Sequence, residues 1–392
     1  MIHAQLDAAA RGGGTPTRHT GTVNVSVTSA VLTDRLRRTK DSMERTGVEA
    51  LLLSLGSDLP YLTGYEAMPL ERLTMLVVPA EGDPTLVVPR LEAMRVEEHA
   101  DVFSIIPWDE TDDPIGIVAG LVGSTGRIAI GDQTWARFLV ELLGALGADR
   151  TFVRSVDVMG PLRVIKDQAE IDALAAAGAA ADRVAAQLQA GEIELIGRTE
   201  AEVSADIAAR LIAQGHQRVN FAIVAAGENA ASPHHDACDR VIGENEIVLC
   251  DFGGARHGYC SDITRCVVTG HAASEITDAY DVLHEAQQAA VAAATTGTPC
   301  EEVDATARSI IADAGFGEYF VHRTGHGIGL DAHEDPYIVS GNASPLEVGH
   351  AFSIEPGIYV PGQWGMRLED IVAITADGPR PLNNADHSLV RL

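Results

Sequence analysis

The sequence predicts an α/β (α+β) chain of two domains, on three observations. Its 392 residues exceed what a single hydrophobic core ordinarily serves. Helix-like and strand-like patterns alternate through the first 160 residues. Beyond that point the texture changes to long alanine-rich helices followed by strands that carry acidic residues. Hydrophobic residues at 46% and charged residues at 21% give the balance of a globular chain.

Taken in order, residues 1–30 hold Arg-Gly-Gly-Gly and no apolar signal core. They read as a flexible tail, or an early start, rather than a secretory signal. A domain over 31–160 opens with an amphipathic, Thr/Asp-capped helix at 32–43. A short buried strand at 50–55 follows. Two further strands, 73–79 and 84–89, pair around a Glu-Gly-Asp turn. This half has no glycine-rich phosphate loop and no clustered His or Cys.

The second domain, 161–392, begins with helices at 168–189 and 199–213. Alanine is the best helix former and packs closely, so these form a scaffold layer. Strands are expected at 221–225 and 246–252, helices at 274–295 and 300–314, and strands again at 351–354 and 371–374. No run approaches the roughly 20 apolar residues a membrane helix needs.

The formal net charge is -28, from 28 Lys+Arg against 56 Asp+Glu. Such acidity argues against nucleic acid and anionic membranes, both of which would be repelled. Five cysteines, an odd number without a CxxC pair, suit a reducing cytoplasm better than a disulfide framework.

The chemistry concentrates in the second domain, where acids stand at positions that favour apolar residues. Asp251 ends the run Ile-Val-Leu-Cys. Asp262 lies in Tyr-Cys-Ser-Asp-Ile-Thr-Arg, Glu355 follows Ala-Phe-Ser-Ile, and Glu369 sits in Met-Arg-Leu-Glu-Asp-Ile-Val. Buried carboxylates must be protonated, paired with cations or bound to metal. Four such charges match two divalent ions, and His326 in Thr-Gly-His-Gly-Ile-Gly adds one imidazole. This oxygen-rich set suits manganese, cobalt, zinc or iron(II) over copper. Two ions about 3.5–4 Å apart can share a hydroxide and create a nucleophile at neutral pH.

These segments, together with Asp-Phe-Gly-Gly at 251–254, His-Arg-Thr-Gly-His at 322–326, Glu-Pro-Gly-Ile-Tyr at 355–359 and Arg-Leu-Glu-Asp at 367–370, resemble the prolidase, aminopeptidase P and creatinase group. The resemblance is detailed over 160–392 and looser over 31–160. It implies a creatinase/prolidase-like N-terminal domain before a pita-bread catalytic domain. It further implies five metal ligands, Asp251, Asp262, His326, Glu355 and Glu369. In the family pattern Asp262 and Glu369 bridge both ions, Asp251 chelates one, and His326 with Glu355 holds the other. Glu355 would be the acid/base. His234 would contact the scissile amide, His333 the peptide oxygen, and His322 the pocket after the cut. Arg367 and Tyr359 would orient ligands and substrate. Pro233 favours His234 over its neighbour His235. Asp370, His257, His284 and His350 are expected to be structural, and Cys250 and Cys260 to be packing residues, with Cys260 sharing parity with Asp262.

The implied activity is hydrolysis of Xaa-Pro bonds, in dipeptides or at peptide N-termini, by a homodimer with manganese as the leading metal. A creatinase-type amidinohydrolase and a non-catalytic peptide-binding module of the same fold are the alternatives. The complete ligand set counts against both.

Overall fold

The computed structural model describes residues 28–392 apart from Thr125 and Ala148, so the expected tail lies almost wholly outside the described residues. The first element is α1 (Ser29–Thr46), longer at both ends than its amphipathic core predicts. It buries Leu32 and Met43 and stops at Gly47, whose φ of 64° lets its N–H reach back to the carbonyls of Glu44 and Met43. There follow β1 (Ala50–Leu53), α2 (Asp58–Thr63), β2 (Met75–Pro79), β3 (Thr85–Pro89), α3 (Arg90–Ala93) and β4 (Ser104–Trp108). Then come α4 (Pro114–Val122), β5 (Arg127–Ile130), α5 (Ala136–Leu146), β6 (Thr151–Arg154) and α6 (Val156–Arg163).

Six strands form one mixed sheet in the order β4-β3-β2-β1-β5-β6. β2 and β3 pair antiparallel, as the turn between them predicts. The expected strand at 50–55 stops at Leu53 because Ser54 turns its hydroxyl onto the Thr74 carbonyl, 2.7 Å away. Apolar side chains cover both sheet faces, Leu51, Leu53 and Val78 on one and Leu52, Val77 and Ile128 on the other.

The second half begins with α7 (Gln168–Gln189) and α8 (Glu200–Ala213). Both start on a capping box, Asp167 with Glu170 and Thr199 with Glu202, which satisfies backbone N–H groups the helix leaves open. Then follow β7 (Arg218–Ala226), β8 (Ile247–Arg256), β9 (Tyr259–Cys260), β10 (Ile263–Val268), α9 (Ser274–Ala293) and α10 (Cys300–Asp313). The chain continues through β11 (Gly325–Gly327), β12 (Glu334–Ile338), β13 (Ala351–Ile354), β14 (Gly357–Val360), β15 (Trp364–Arg367) and β16 (Asp370–Thr375). It closes with β17 (Gly378–Pro381) and β18 (Val390–Arg391).

Two five-stranded sheets result, β18-β10-β8-β7 with β9 on β8, and β12-β11-β13-β16-β17. An isolated bridge between Thr264 and Glu369 stitches them together. The helices α7 to α10 cover the outer faces, and the apolar layers beneath them are alanine-rich: Ala181, Ala185, Ala279, Ala286 and Ala290 are fully buried. Small side chains let helix and sheet approach closely, which leaves the inner faces free to carry polar groups. Among the described residues no helix is long and apolar enough to cross a membrane.

Candidate functional site

Strand register builds the site. Asp251 on β8 lies opposite Thr264 on β10, and Thr264 bridges to Glu369. The three form one row across the seam between the sheets, with Asp262 just before β10. From the other sheet, Ile354 at the end of β13 pairs with Asp370, so Glu355 emerges one residue beyond, beside Glu369. His326 reaches the same place from β11 because its backbone N–H donates to Ser353 Oγ at 3.0 Å. The glycines flanking His326 have a steric reason: a methyl at Gly325 would run into the Ser353 carbonyl, and one at Gly327 into the Asp335 carbonyl.

Asp251, Asp262, His326, Glu355 and Glu369 all line one cavity of about 540 Å³. Three residue triads there, Asp251-Asp262-Glu369, His326-Glu355-Glu369 and Asp262-His326-His333, have ligating atoms within 4.8 Å of one another, and Glu369 belongs to the first two. The side chains of Asp262 and His326 are each about 4% exposed. Among the described residues the guanidinium paired with the cluster is that of Arg367, whose Nη2 donates to Asp251 Oδ2, while Arg323 also lines the cavity. The four carboxylates outnumber the two guanidiniums that line the cavity.

The charge crowding shows in the acids themselves. Burial first, then the neighbouring Glu369, Asp251 and Glu355, pushes the Asp262 carboxyl well above its ordinary range. Burial does the same to Glu369, with Glu355 and Asp251 adding to it. Burial raises Glu355 to about 7, although Arg367 pulls the other way.

The arrangement fits divalent cations on two further grounds. Asp251 Oδ1 and Asp262 Oδ1 are buried without a hydrogen-bond partner. The second ground is the tautomer of His326. Its Nδ1 contacts the Gly327 carbonyl at 3.0 Å and must donate, which leaves a lone pair on Nε2. That lone pair faces Glu355 Oε1 at 3.3 Å and Asp262 Oδ2 at 3.9 Å. Burial pushes the imidazole down to about 3, so it does not supply the missing proton. A nitrogen acceptor aimed at carboxylate acceptors is tolerable with a cation between them.

A directed hydrogen-bond chain backs the site. Arg367 Nη1 donates to the Tyr359 hydroxyl at 2.7 Å. That hydroxyl stands 2.8 Å from His322 Nε2, and His322 Nδ1 stands 2.7 Å from the Arg323 carbonyl. The carbonyl can only accept, so His322 carries its proton on Nδ1 and Tyr359 donates to Nε2. Burial and the charge of Arg367 hold His322 neutral, at about 3. His234 and His333 line the same cavity, and the His333 ring centroid lies 3.9 Å from that of His326.

The structure thus brings together all ten residues singled out from the sequence. It departs from the sequence reading in detail. Glu355 and Glu369 fall just outside strand ends and Asp262 in the gap between β9 and β10, so simple alternation does not describe them. Cys260 shares parity with Asp262 yet contacts the Leu330 carbonyl, because that gap breaks the alternation. Asp370 turns away, as expected, to Arg265 at 2.8 Å and His387 at 2.6 Å. His235 turns its Nε2 to Glu200 instead of the acids.

Two supporting residues escaped the sequence reading. Thr264 donates to Glu369 Oε2 at 2.7 Å and accepts from Arg367 Nε at 3.1 Å. Ser353 donates to Glu355 Oε1 at 3.0 Å. Each stands two residues from a candidate ligand, Thr264 after Asp262 and Ser353 before Glu355, and that spacing was the available signal.

Comparison with known proteins follows the two halves. The family model described as Creatinase/Prolidase N-terminal domain matches residues 35–165, and that of Metallopeptidase family M24 matches residues 171–376. The crystal structure of dipeptidase PepE from Mycobacterium ulcerans is similar with a TM-score of 0.85 and 46% identity, covering 93% of this chain and 98% of that one. A prolidase from Thermococcus sibiricus gives 0.87 and 37%, over 91% and 98%. The Xaa-Pro dipeptidase of Lactobacillus delbrueckii subsp. lactis is 35% identical over 365 residues, 90% of this chain and 98% of that protein.

Proposed function

The chain belongs to metallopeptidase family M24, with a creatinase/prolidase N-terminal domain ahead of the catalytic one, and on that premise we propose that it hydrolyses Xaa-Pro bonds, dipeptides first, with two divalent cations. The observation that carries the reading is the His326 lone pair and the two orphaned Asp oxygens facing one carboxylate cluster. The similarity to proteins described as a dipeptidase, a prolidase and an Xaa-Pro dipeptidase supports the substrate class.

In this reading Asp251 and Asp262 on one side of Glu369, and His326 and Glu355 on the other, would together with Glu369 hold the cations. Bound there, the cations supply Lewis-acid polarisation of the scissile carbonyl and a nucleophile at neutral pH. The protein's own part is binding, orientation and proton handling. Glu355 has one oxygen fixed by Ser353, so Oε2 can hold a proton and pass it to the leaving proline nitrogen. His333 and His234 face the cavity where the amide would lie, and either imidazole can stabilise charge developing on its oxygen. Phe221, Ile223 and His322 line the cavity, a wall suited to a pyrrolidine ring. Arg367 and Tyr359 hold Asp251 and His322 in place.

Five free cysteines agree with a reducing cytoplasm. Division near residue 160, manganese as the metal, and a homodimer complete the proposal; a monomer by light scattering would end the last part. Product analysis with manganese tests the activity, comparing Ala-Pro, Ala-Ala and Ala-Pro-Ala. Release of alanine from Ala-Pro in preference to Ala-Ala is expected. Cleavage indifferent to proline, or none at all with full metal loading, overturns the reading.

A further inference from the structure

Behind the loop that carries His234 lies a second group of ligating side chains. Glu200, at the start of α8, has a side chain with no exposure. Ala226 N–H holds its Oε1 at 2.8 Å, and the Asn229 amide lies 3.1 Å from both oxygens. Its Oε2 receives three more donors, His235 Nε2 at 2.7 Å, the Cys238 thiol at 3.2 Å and the Cys238 backbone N–H at 3.4 Å. A nitrogen, an oxygen and a sulfur ligand thus converge within 4.8 Å of one another.

We propose that Glu200, His235 and Cys238 form a mononuclear site for a thiophilic divalent cation of the zinc class, separate from the carboxylate centre. The chemistry divides the two sites. Thiolate with imidazole selects zinc over manganese or magnesium, whereas the cavity cluster offers carboxylate oxygen and imidazole but no sulfur. Charge also closes. The cation displaces the thiol proton to solvent, His235 shifts its proton to Nδ1, and one thiolate with one carboxylate neutralises the ion. The carboxylate is already anchored, so only the two loop side chains need to move. Cys238 is exposed, which leaves solvent access for a fourth, water ligand.

The position gives the site a consequence. His234 adjoins His235 and lines the catalytic cavity, and the Pro233 carbonyl accepts from Arg367 at 3.2 Å. His235 lines that cavity too, so an ion held by His235 and Cys238 would pin the loop at the cavity wall.

Cobalt(II) titrated into the full-length, manganese-loaded protein tests this through the near-ultraviolet thiolate-to-cobalt band, which the sulfur-free centre cannot give. One equivalent should produce the band, and zinc should slow alkylation of Cys238 by iodoacetamide. Cys238→Ser should lose both effects with an unchanged melting curve. His235→Asn should weaken binding, because it removes the nitrogen ligand. Asp262→Asn, altered only at the catalytic centre, should keep the band. A missing band, a band that survives in Cys238→Ser, or an alkylation rate indifferent to zinc would leave the cluster a hydrogen-bonded anchor and overturn the site.

Discussion

Ser353 shows how much a small side chain can decide. Its one hydroxyl accepts from the His326 backbone and donates to Glu355 Oε1, so it fixes two neighbours of the carboxylate cluster at once. Supporting partners of this kind are worth on the order of 10–100-fold in metal affinity or activity. Ser353→Ala should therefore raise the manganese dissociation constant by about that factor, measured by calorimetry, while the melting temperature moves little. Unchanged affinity would remove Ser353 from the site's support. A second residue-scale effect lies outside the site. His350 is 5% exposed and its Nδ1 accepts the Glu347 N–H at 3.2 Å, which requires a neutral ring. Burial, with Lys166 beside it, lowers the imidazole to about 4. The sign follows: above the unfolded value near 6.5 neither state is protonated and the full stability is present. As pH falls from about 6.5 to 4 the unfolded chain takes up a proton first, and stability is lost. The loss should be about 1–2 kcal/mol between pH 7 and pH 5. His350→Gln should flatten that slope in thermal melts, and a variant as acid-sensitive as the parent would refute the linkage.

At the scale of elements, the sequence was most legible where local physics acts alone. The span of α7, Gln168–Gln189, and that of β13, Ala351–Ile354, follow from capping and from an apolar run bounded by polar residues. The five acid and imidazole positions were legible too, because a charge inside an apolar run has few explanations. What the sequence left out depends on pairing between distant segments. Nothing local says that Thr264 meets Glu369, or that Ser353 sits beneath His326, since register is settled by long-range contacts. The mixed order of the N-terminal sheet was hidden for the same reason, with β1 running parallel to β5 and antiparallel to β2. The glycines around His326 become intelligible only with the partner strand in view. A methyl at Gly325 meets a backbone carbonyl, which cannot swing aside as a flexible side chain could. Gly325→Ala should cost about 2 kcal/mol of stability and displace His326, visible as a lower metal content per chain than the parent's after dialysis. Full stoichiometry with an unaltered melt would show that β11 relaxes without loss.

Across the whole molecule, the two halves meet through charge as well as apolar surface. Arg163 ends α6, just past the expected division but inside the span matched by the N-terminal family model. Its guanidinium binds Asp58 at 2.9 Å, Asp331 at 2.8 Å and also Glu334, while Lys166 holds Glu334 at 2.6 Å. Ser57 adds a bond to Asp331 at 2.7 Å. Asp331 and Glu334 flank His333, so groups from the first half fix a loop that lines the cavity of the second. The N-terminal half is in this sense part of the site, although none of its described side chains lines that cavity. Arg163→Met keeps most of the side chain's bulk and removes the charge, leaving three carboxylates to share Lys166. Removing one partner of a buried ionic cluster costs about 3–5 kcal/mol, and Arg163 is 14% exposed, so about 3 kcal/mol is the expectation here. Repulsion between Asp58 and the Asp331–Glu334 loop should also shift His333. Turnover on Ala-Pro should fall about tenfold with metal content unchanged, because no candidate ligand belongs to this network. Arg163→Lys should recover part of the loss, since it restores charge but not the planar fork that spans three acids. Steady-state kinetics beside metal analysis and thermal melts decide the matter. A methionine variant that turns over normally would mean that the seam holds the halves together without positioning His333.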